Sequence, residues 1–310
     1  MKQHELDGTF QEFPAETPPA NYADIAQADI LKSLRFREGS LPYRLMSLFS
    51  RNAIIQLSQF LTEMDAQLVH SPINFAALSA LKRLTAGLIA HNEPEAPASG
   101  PVLVVGNHPG WVDSITALAS MKRPDIHIVA GTHSTLQFLP RISKQLIFVD
   151  QNAISLRANV IREVISLLQA GKAVIVFPRG VLEPDPALLC GAKRSIGEWK
   201  DSIGIFLQKV PETVIQPMLL SHMVHPKAWG NRVISLIKDQ RRRQQLATAM
   251  QFALSLRKNK GAFWKVTPQV RFGQAMQAKD ISKELDARKI SHGIQQEMLA
   301  LLGRAFPNMC

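Results

Sequence analysis

Two side chains set the chemical question. His108 and Asp113 lie five residues apart in Val102–Ser114, VLVVGNHPGWVDS, where an apolar run ends at Gly106 and a polar turn follows. On one continuous helix, that spacing would put them on different faces. They meet if His108 sits in the turn after a strand and Asp113 in the first turn of the next helix. Pro109 and Gly110 suit such a turn, because neither favours continuous helix. A carboxylate that bonds one imidazole nitrogen fixes the tautomer and leaves the other nitrogen as a base. Backbone N–H groups near Gly110, at the helix start, are candidate donors to an oxyanion. No obvious protein nucleophile accompanies the pair, so it suits a reaction in which a substrate hydroxyl attacks. The competing reading is structural: His108 caps the turn and Asp113 caps the helix.

The elements that must position this pair follow from hydrophobic pattern. Short Val- and Ile-rich runs predict strands at Val102–Val105, Ile126–Ala130, Leu146–Val149, Ala173–Phe177, Val214–Leu219 and Lys265–Phe272, with a further candidate at Val233–Ile237. Helices are predicted at Val112–Met121, Ala153–Ala170, Ser202–Lys209, Gln240–Arg257 and Asp280–Leu302. This alternation gives an α/β class with a mostly parallel, helix-covered sheet. Ligands of such sheets gather at loops beyond the carboxyl ends of strands, where the loops after Val105 and Phe177 fall. Upstream, helical stripes over Tyr22–Phe36, Pro42–Val69 and Pro72–Ala90 form an N-terminal helical region. These stripes either pack as core or dock in part on a bilayer, where Arg35, Arg37, Arg44 and Arg51 would help. The expected division is a flexible tail at 1–21, the helical region at 22–92, a linker at His91–Gly100 and a catalytic domain at 101–302.

Composition narrows the partners. Of 310 residues, 46% are hydrophobic, enough for a sizeable core, and the net charge is +11 with a pI near 9.9. That balance favours anionic partners: lipid headgroups, phosphorylated substrates, acidic carrier proteins or nucleic acid. Nucleic acid is the weakest of these, since aromatics make up 6% and no basic–aromatic platform is visible. Arg241–Arg243 open a helix as a basic run, either a solvated face or a contact for an anionic membrane or carrier protein. The two cysteines, Cys190 and Cys310, fit a reducing compartment rather than a disulfide framework, and Cys190 reads as a small, partly buried residue. No spaced Cys/His/Asp set predicts a metal. The N-terminus lacks a secretory pattern, and no apolar run approaches the ~18–20 residues of a span. The expectation is a cytoplasmic protein peripherally associated with an anionic membrane surface.

Asn107–Asp113, NHPGWVD, after an apolar strand, resembles the NHxxxxD motif of the glycerolipid acyltransferases, which include glycerol-3-phosphate and lysophosphatidate acyltransferases. Ala173–Gly180, AVIVFPRG, resembles that family's strand and FPEG block, with Arg179 in place of the Glu. Leu136 and Pro140 match the core of its second block, and Pro217 in Val214–Leu219 matches its fourth. Val270–Gly273, followed by the helix at Asp280, is similar to its late strand and terminal helix. The resemblance covers about Pro101–Leu302. It implies that His108 deprotonates an acceptor hydroxyl, which attacks an acyl thioester, and that Asp113 orients His108. It points to Asn107, Gly110, Phe177, Pro178, Arg179 and Gly180 for substrate binding. Lys193 and Arg194 of the following loop are either exposed loop cations or close over an acceptor phosphate through charge-assisted bonds. No cofactor is implied; the co-substrate is acyl-coenzyme A or acyl-carrier protein, and the acceptor a lysophospholipid or glycerol phosphate. Glu183 and Asp185 are candidates for the carboxylate role vacated at position 179. Arg179 also keeps open an acceptor without phosphate, such as an amino-acid lipid or sterol-like alcohol. A non-catalytic lipid or carrier-protein binder on the same fold is a third reading.

Overall fold

The computed structural model describes residues 18–149, 154–257 and 264–308. Residues 1–17 of the expected N-terminal tail lie outside that set. Three helices come first: α1 (Tyr22–Ser33), α2 (Leu41–Gln67) and α3 (Ile73–Leu84). After strand β1 (Ile89–Ala90), β2 (Val102–Gly106) leads into α4 (Asp113–Ser120). Then follow β3 (Ile126–Gly131), the short helices α5 (Ser134–Gln137) and α6 (Pro140–Ser143), β4 (Leu146–Val149) and α7 (Ile154–Gln169). Strand β5 (Ala173–Val176) leads through α8 (Ala192–Gly197) and α9 (Ser202–Lys209) to β6 (Val214–Ser221). The chain continues through α10 (Pro226–Trp229), α11 (Arg232–Ser235) and α12 (Gln240–Ser255) to β7 (Gln269–Phe272) and β8 (Met276–Gln277). It closes with α13 (Ala278–Ile281) and α14 (Ala287–Ala305).

Among the described residues, eight strands form one sheet in the order β1-β7-β6-β2-β5-β3-β4, with β8 beside β6. The pairs β2–β5, β2–β6, β3–β5 and β3–β4 are parallel, and β6–β7 and β6–β8 are antiparallel. Every residue of β2 is buried. A parallel strand covered on both faces reads as an unbroken apolar run, and VLVVG is one. Alternate side chains serve the two cores. Val102, Val104, Ile126 and Ile175 meet α2, α3, α4 and α12 on one face. Leu103, Val105, Val174 and Leu219 meet α7, α9 and α14 on the other.

The helices that follow β2 and β5 therefore leave toward opposite faces: α4 to the first, α8 and α9 to the second. Between adjacent parallel strands whose connections diverge in this way, the loops part and leave a crevice at the carboxyl edge. His108 follows β2 and Phe177–Gly180 follow β5, so the topology brings these two segments to the same edge.

The N-terminal helices share the first core through Tyr22, Leu57, Phe60 and Ala77. They also hold segment 132–143 by two acids, the half-buried Asp29 and the buried Asp65. Asp29 accepts bonds from Thr135 N–H at 2.6 Å and its hydroxyl at 2.7 Å. Asp65 accepts from the N–H groups of Arg141 and Ile142 at 2.9 and 2.7 Å.

Several expectations change. Val233–Ile237, a candidate strand, is instead helix α11, because the Asn231 side chain accepts from Val233 and Ile234 N–H and caps a helical turn. The helix expected to reach Ala90 stops at Leu84, and Ile89–Ala90 pair with β7. The one expected over Asp280–Leu302 splits at Leu285, whose φ is +55°. The last long strand is confined to Gln269–Phe272.

Candidate active site

Pro109 and Gly110 turn the chain after β2, and Asp113 is the first residue of α4. This brings His108 Nδ1 to 2.6 Å from Asp113 Oδ2. The Asp113 side chain is 1% exposed, whereas that of His108 is 30% exposed. Asp113 Oδ2 also accepts from Gly110 N–H at 2.9 Å, and Oδ1 accepts from Ser114 N–H at 2.6 Å. With donors on both its oxygens, the carboxylate accepts the Nδ1 proton's bond and leaves Nε2 as the basic nitrogen. Burial pushes the His108 pKa down; the Asp113 charge and hydrogen bond, with the Glu183 charge behind them, outweigh it and hold the imidazole above its ordinary value.

Of the backbone N–H groups near Gly110, expected as oxyanion donors, that of Gly110 itself is taken by Asp113. Among the described residues, no acceptor takes the N–H groups of Trp111 or Val112, the next two along the turn. Gly110 has another role: a Cβ there would sit 2.9 Å from Met223 Cβ, so a side chain would push the turn off residues 222–224. Asn107, expected at the substrate, is buried, and its amide donates to Leu220 O and accepts from Leu220 N–H at 2.9 and 2.8 Å. It extends the β2–β6 ladder and fixes where His108 begins.

The loop after β5 supplies the facing wall. The Phe177 ring stacks on His108 at 5.0 Å between centroids and 10° between planes. Phe177–Gly180 form a tight turn, closed by Gly180 N–H to Phe177 O at 2.9 Å. Pro178 fits its second position, and Gly180, at φ +67°, leaves in the left-handed region. Arg179 pairs with Glu198, which also accepts from Arg194 Nε at 3.2 Å. Lys193 and Lys200 are exposed in the same loop. Glu198 thus serves two of the loop's four cations, and with Lys193 and Lys200 added the loop is positive.

The residues that support His108 from behind are Glu183, Asp185 and Gln244, all buried. The sequence named the first two only as stand-ins for a missing carboxylate and did not single out Gln244. Glu183 Oε1 accepts from His108 N–H at 3.1 Å, and Glu183 N–H donates to His108 O at 2.7 Å. Asp185 accepts from the N–H groups of His222, Met223 and Val224 at 3.0, 2.7 and 2.9 Å, holding the turn on which Gly110 packs. Burial raises the pKa of both acids, and the hydrogen bonds they accept pull it back. Gln244 of α12 donates to Pro109 O at 2.8 Å and Glu183 O at 2.7 Å, stitching both loops together. Cys190 is exposed rather than partly buried and is not a free thiol.

The arrangement is a base with a fixed tautomer, stacked on an aromatic ring and flanked by cations at the carboxyl edge of a parallel sheet. Comparison with known proteins gives one family. The model described as Acyltransferase matches residues 88–221. Among solved structures, a similar chain is the crystal structure of the 1-acyl-sn-glycerophosphate (LPA) acyltransferase PlsC from Thermotoga maritima. It is 15% identical, with 91% of each chain covered and a TM-score of 0.43. No match is found among curated proteins.

Proposed function

We propose that the chain, whose residues 88–221 match the family model described as Acyltransferase, moves a fatty acyl group from a coenzyme A or carrier-protein thioester to the hydroxyl of a lysophospholipid or glycerol phosphate. The observation that carries this reading is the 2.6 Å His108–Asp113 bond, which leaves the outer imidazole nitrogen basic in a partly open site. In the proposed reaction the acceptor oxygen attacks the thioester carbonyl carbon as His108 Nε2 takes its proton. The amides of Trp111 and Val112 are the candidates to hold the resulting oxyanion. The C–S bond then breaks, the carbonyl re-forms, and the leaving thiolate takes the proton back from His108. General-base help of this kind contributes about 10²–10⁴-fold. No cofactor enters this scheme.

Arg179, Lys193 and Arg194, with Lys200, are proposed to hold the acceptor's phosphate by charge-assisted bonds. One observation favours a second acceptor class without phosphate: Arg179 already has Glu198 as a partner. Thioester turnover with lysophosphatidate and with the same monoacylglycerol lacking phosphate separates the two. The phosphate reading expects a preference of at least tenfold for the first that Arg179→Gln removes; equal rates would favour the second class.

No helix among the described residues is long and apolar enough to cross a membrane. Membrane contact is proposed instead through the first half of α2. There Leu41, Leu45, Leu48 and Phe49 are exposed, the last two at 76% and 80%, with Arg44 between them. Burying a large apolar side chain contributes roughly 1.5–3 kcal/mol. The double variant Leu48→Glu/Phe49→Glu should therefore bind anionic phospholipid vesicles at least tenfold more weakly in flotation assays with no loss of melting temperature. Unchanged binding would remove this surface from the account.

A further inference from the structure

We propose that Glu183 is the positioning residue of the base, tying the His108 main chain to the frame made by Ser195 and Trp199 so that base and substrate loop hold one geometry. The proposal rests on the acyl-transfer reading above and deepens it. Glu183 is 1% exposed and does not reach the open side of the site. Its Oε1 accepts from His108 N–H at 3.1 Å, while Oε2 accepts from Ser195 Oγ at 2.8 Å and Trp199 Nε1 at 3.1 Å. The return bond from Glu183 N–H to His108 O closes the link at 2.7 Å. Residue 108 is thus held from both its N–H and its C=O by one residue 75 positions along the chain. The same segment begins at Phe177, the ring stacked on His108, and includes Arg179.

Chemistry explains why an acid stands here although its burial is unfavourable. A backbone N–H and an indole N–H can only donate. They approach different oxygens of Glu183, so both ends of the side chain must accept. Glutamine has one accepting end; in either orientation its NH₂ faces an obligate donor. If its oxygen keeps Ser195 and Trp199, the bond to His108 becomes a repulsion. Aspartate keeps the charge but is one methylene too short to span both partners. The negative charge also acts on His108 through space, adding to that of Asp113 in favouring the protonated ring.

Glu183→Gln should lower kcat about 10–100-fold with KM little changed, the loss expected of a displaced but intact base. It should also move the acidic limb of the pH–rate profile to lower pH, because one charge that favours imidazolium is gone. Glu183→Asp should lower kcat while leaving that limb near its wild-type position. An NMR titration of the His108 ring, which needs no substrate, should show the same downward shift for Glu183→Gln. That titration separates failure of this proposal from failure of the acyl-transfer reading. If Glu183→Gln does not fold, the kcat of Glu183→Asp decides. Folded variants with wild-type kcat and an unmoved His108 titration would overturn the proposal.

Discussion

Replacing His108 with alanine is expected to lower acyl transfer by about 10³-fold or more while leaving the fold in place. The imidazole is partly exposed, and what alanine removes is local: the hydrogen bond to Asp113 and the stack on Phe177. Without it no group at the site takes the acceptor's proton, and the hydroxyl must attack unaided. Asp113→Asn should fall nearly as far for a related reason. Asp113 accepts donors on both oxygens, from His108 and Gly110 on one and Ser114 on the other. An amide can accept at one end only, so either the imidazole loses its fixed tautomer or Ser114 N–H loses its acceptor. The pH dependence carries the sign. His108 must be neutral to act, so kcat/KM in the wild type should rise with pH through a value above the ordinary histidine range. In Asp113→Asn the largest upward influence is gone while burial still pushes down, so the residual activity should titrate at lower pH. A fully active, folded His108→Ala enzyme would end the mechanism.

Gly204→Ala is expected to destabilise the protein by about 3 kcal/mol or more. Helix propensity alone predicts the opposite, a gain of about 1 kcal/mol for replacing glycine in a helix. The structure decides against propensity. An alanine Cβ at position 204 would lie 1.7 Å from Ala287 O and 2.7 Å from Ser291 Oγ. The first is backbone at the start of α14, so it yields only if α9 and α14 separate. Gly204 N–H also donates to Ser291 Oγ at 3.0 Å, a bond that such a shift would break. Both helices cover the second core, where Phe206, Leu207, Ile290 and Ile294 meet the sheet. Overpacking a tight core costs typically 1–3 kcal/mol and more where backbone must move. Thermal unfolding checks the sign: a lower melting temperature supports the close helix contact, and a higher one would show that propensity wins.

Part of this organisation was legible from residue pattern. Leu146–Val149 and Ser202–Lys209 have the bounds their sequences predict, because each is an apolar run or stripe ended by polar residues. The meeting of His108 with Asp113 was legible because it is local: a Pro-Gly turn and a helix start suffice. What was not legible depends on distant pairing. Nothing in the residues of β7 encodes that it runs antiparallel to β6, or that two residues at Ile89–Ala90 extend the sheet. Val233–Ile237 looked like a strand because apolar residues in a row usually lie inside a sheet. Here Val233 and Leu236 face outward on a helical turn capped by Asn231. Which of the N–H groups near Gly110 stay open to an oxyanion was not legible, because it depends on where Asp113 takes the one from Gly110. Glu183 lies in the loop after β5, and only the adjacency of β2 and β5 puts it behind His108. Arg123 is similar: it is buried, donating to Asp125, Pro97, Gly100 and Gly171, with no pattern along the chain to mark it.

The central claim is that the protein supplies a base and the acceptor supplies the nucleophile. Rapid mixing of enzyme with a fatty acyl-coenzyme A or acyl-carrier-protein thioester, following thiol release with and without a lysophospholipid, tests it most directly. The account predicts release only when acceptor and His108 are both present, with the acyl group recovered as an ester of the acceptor. A burst of thiol stoichiometric with enzyme in the absence of acceptor, leaving the acyl group bound to the chain, would contradict it.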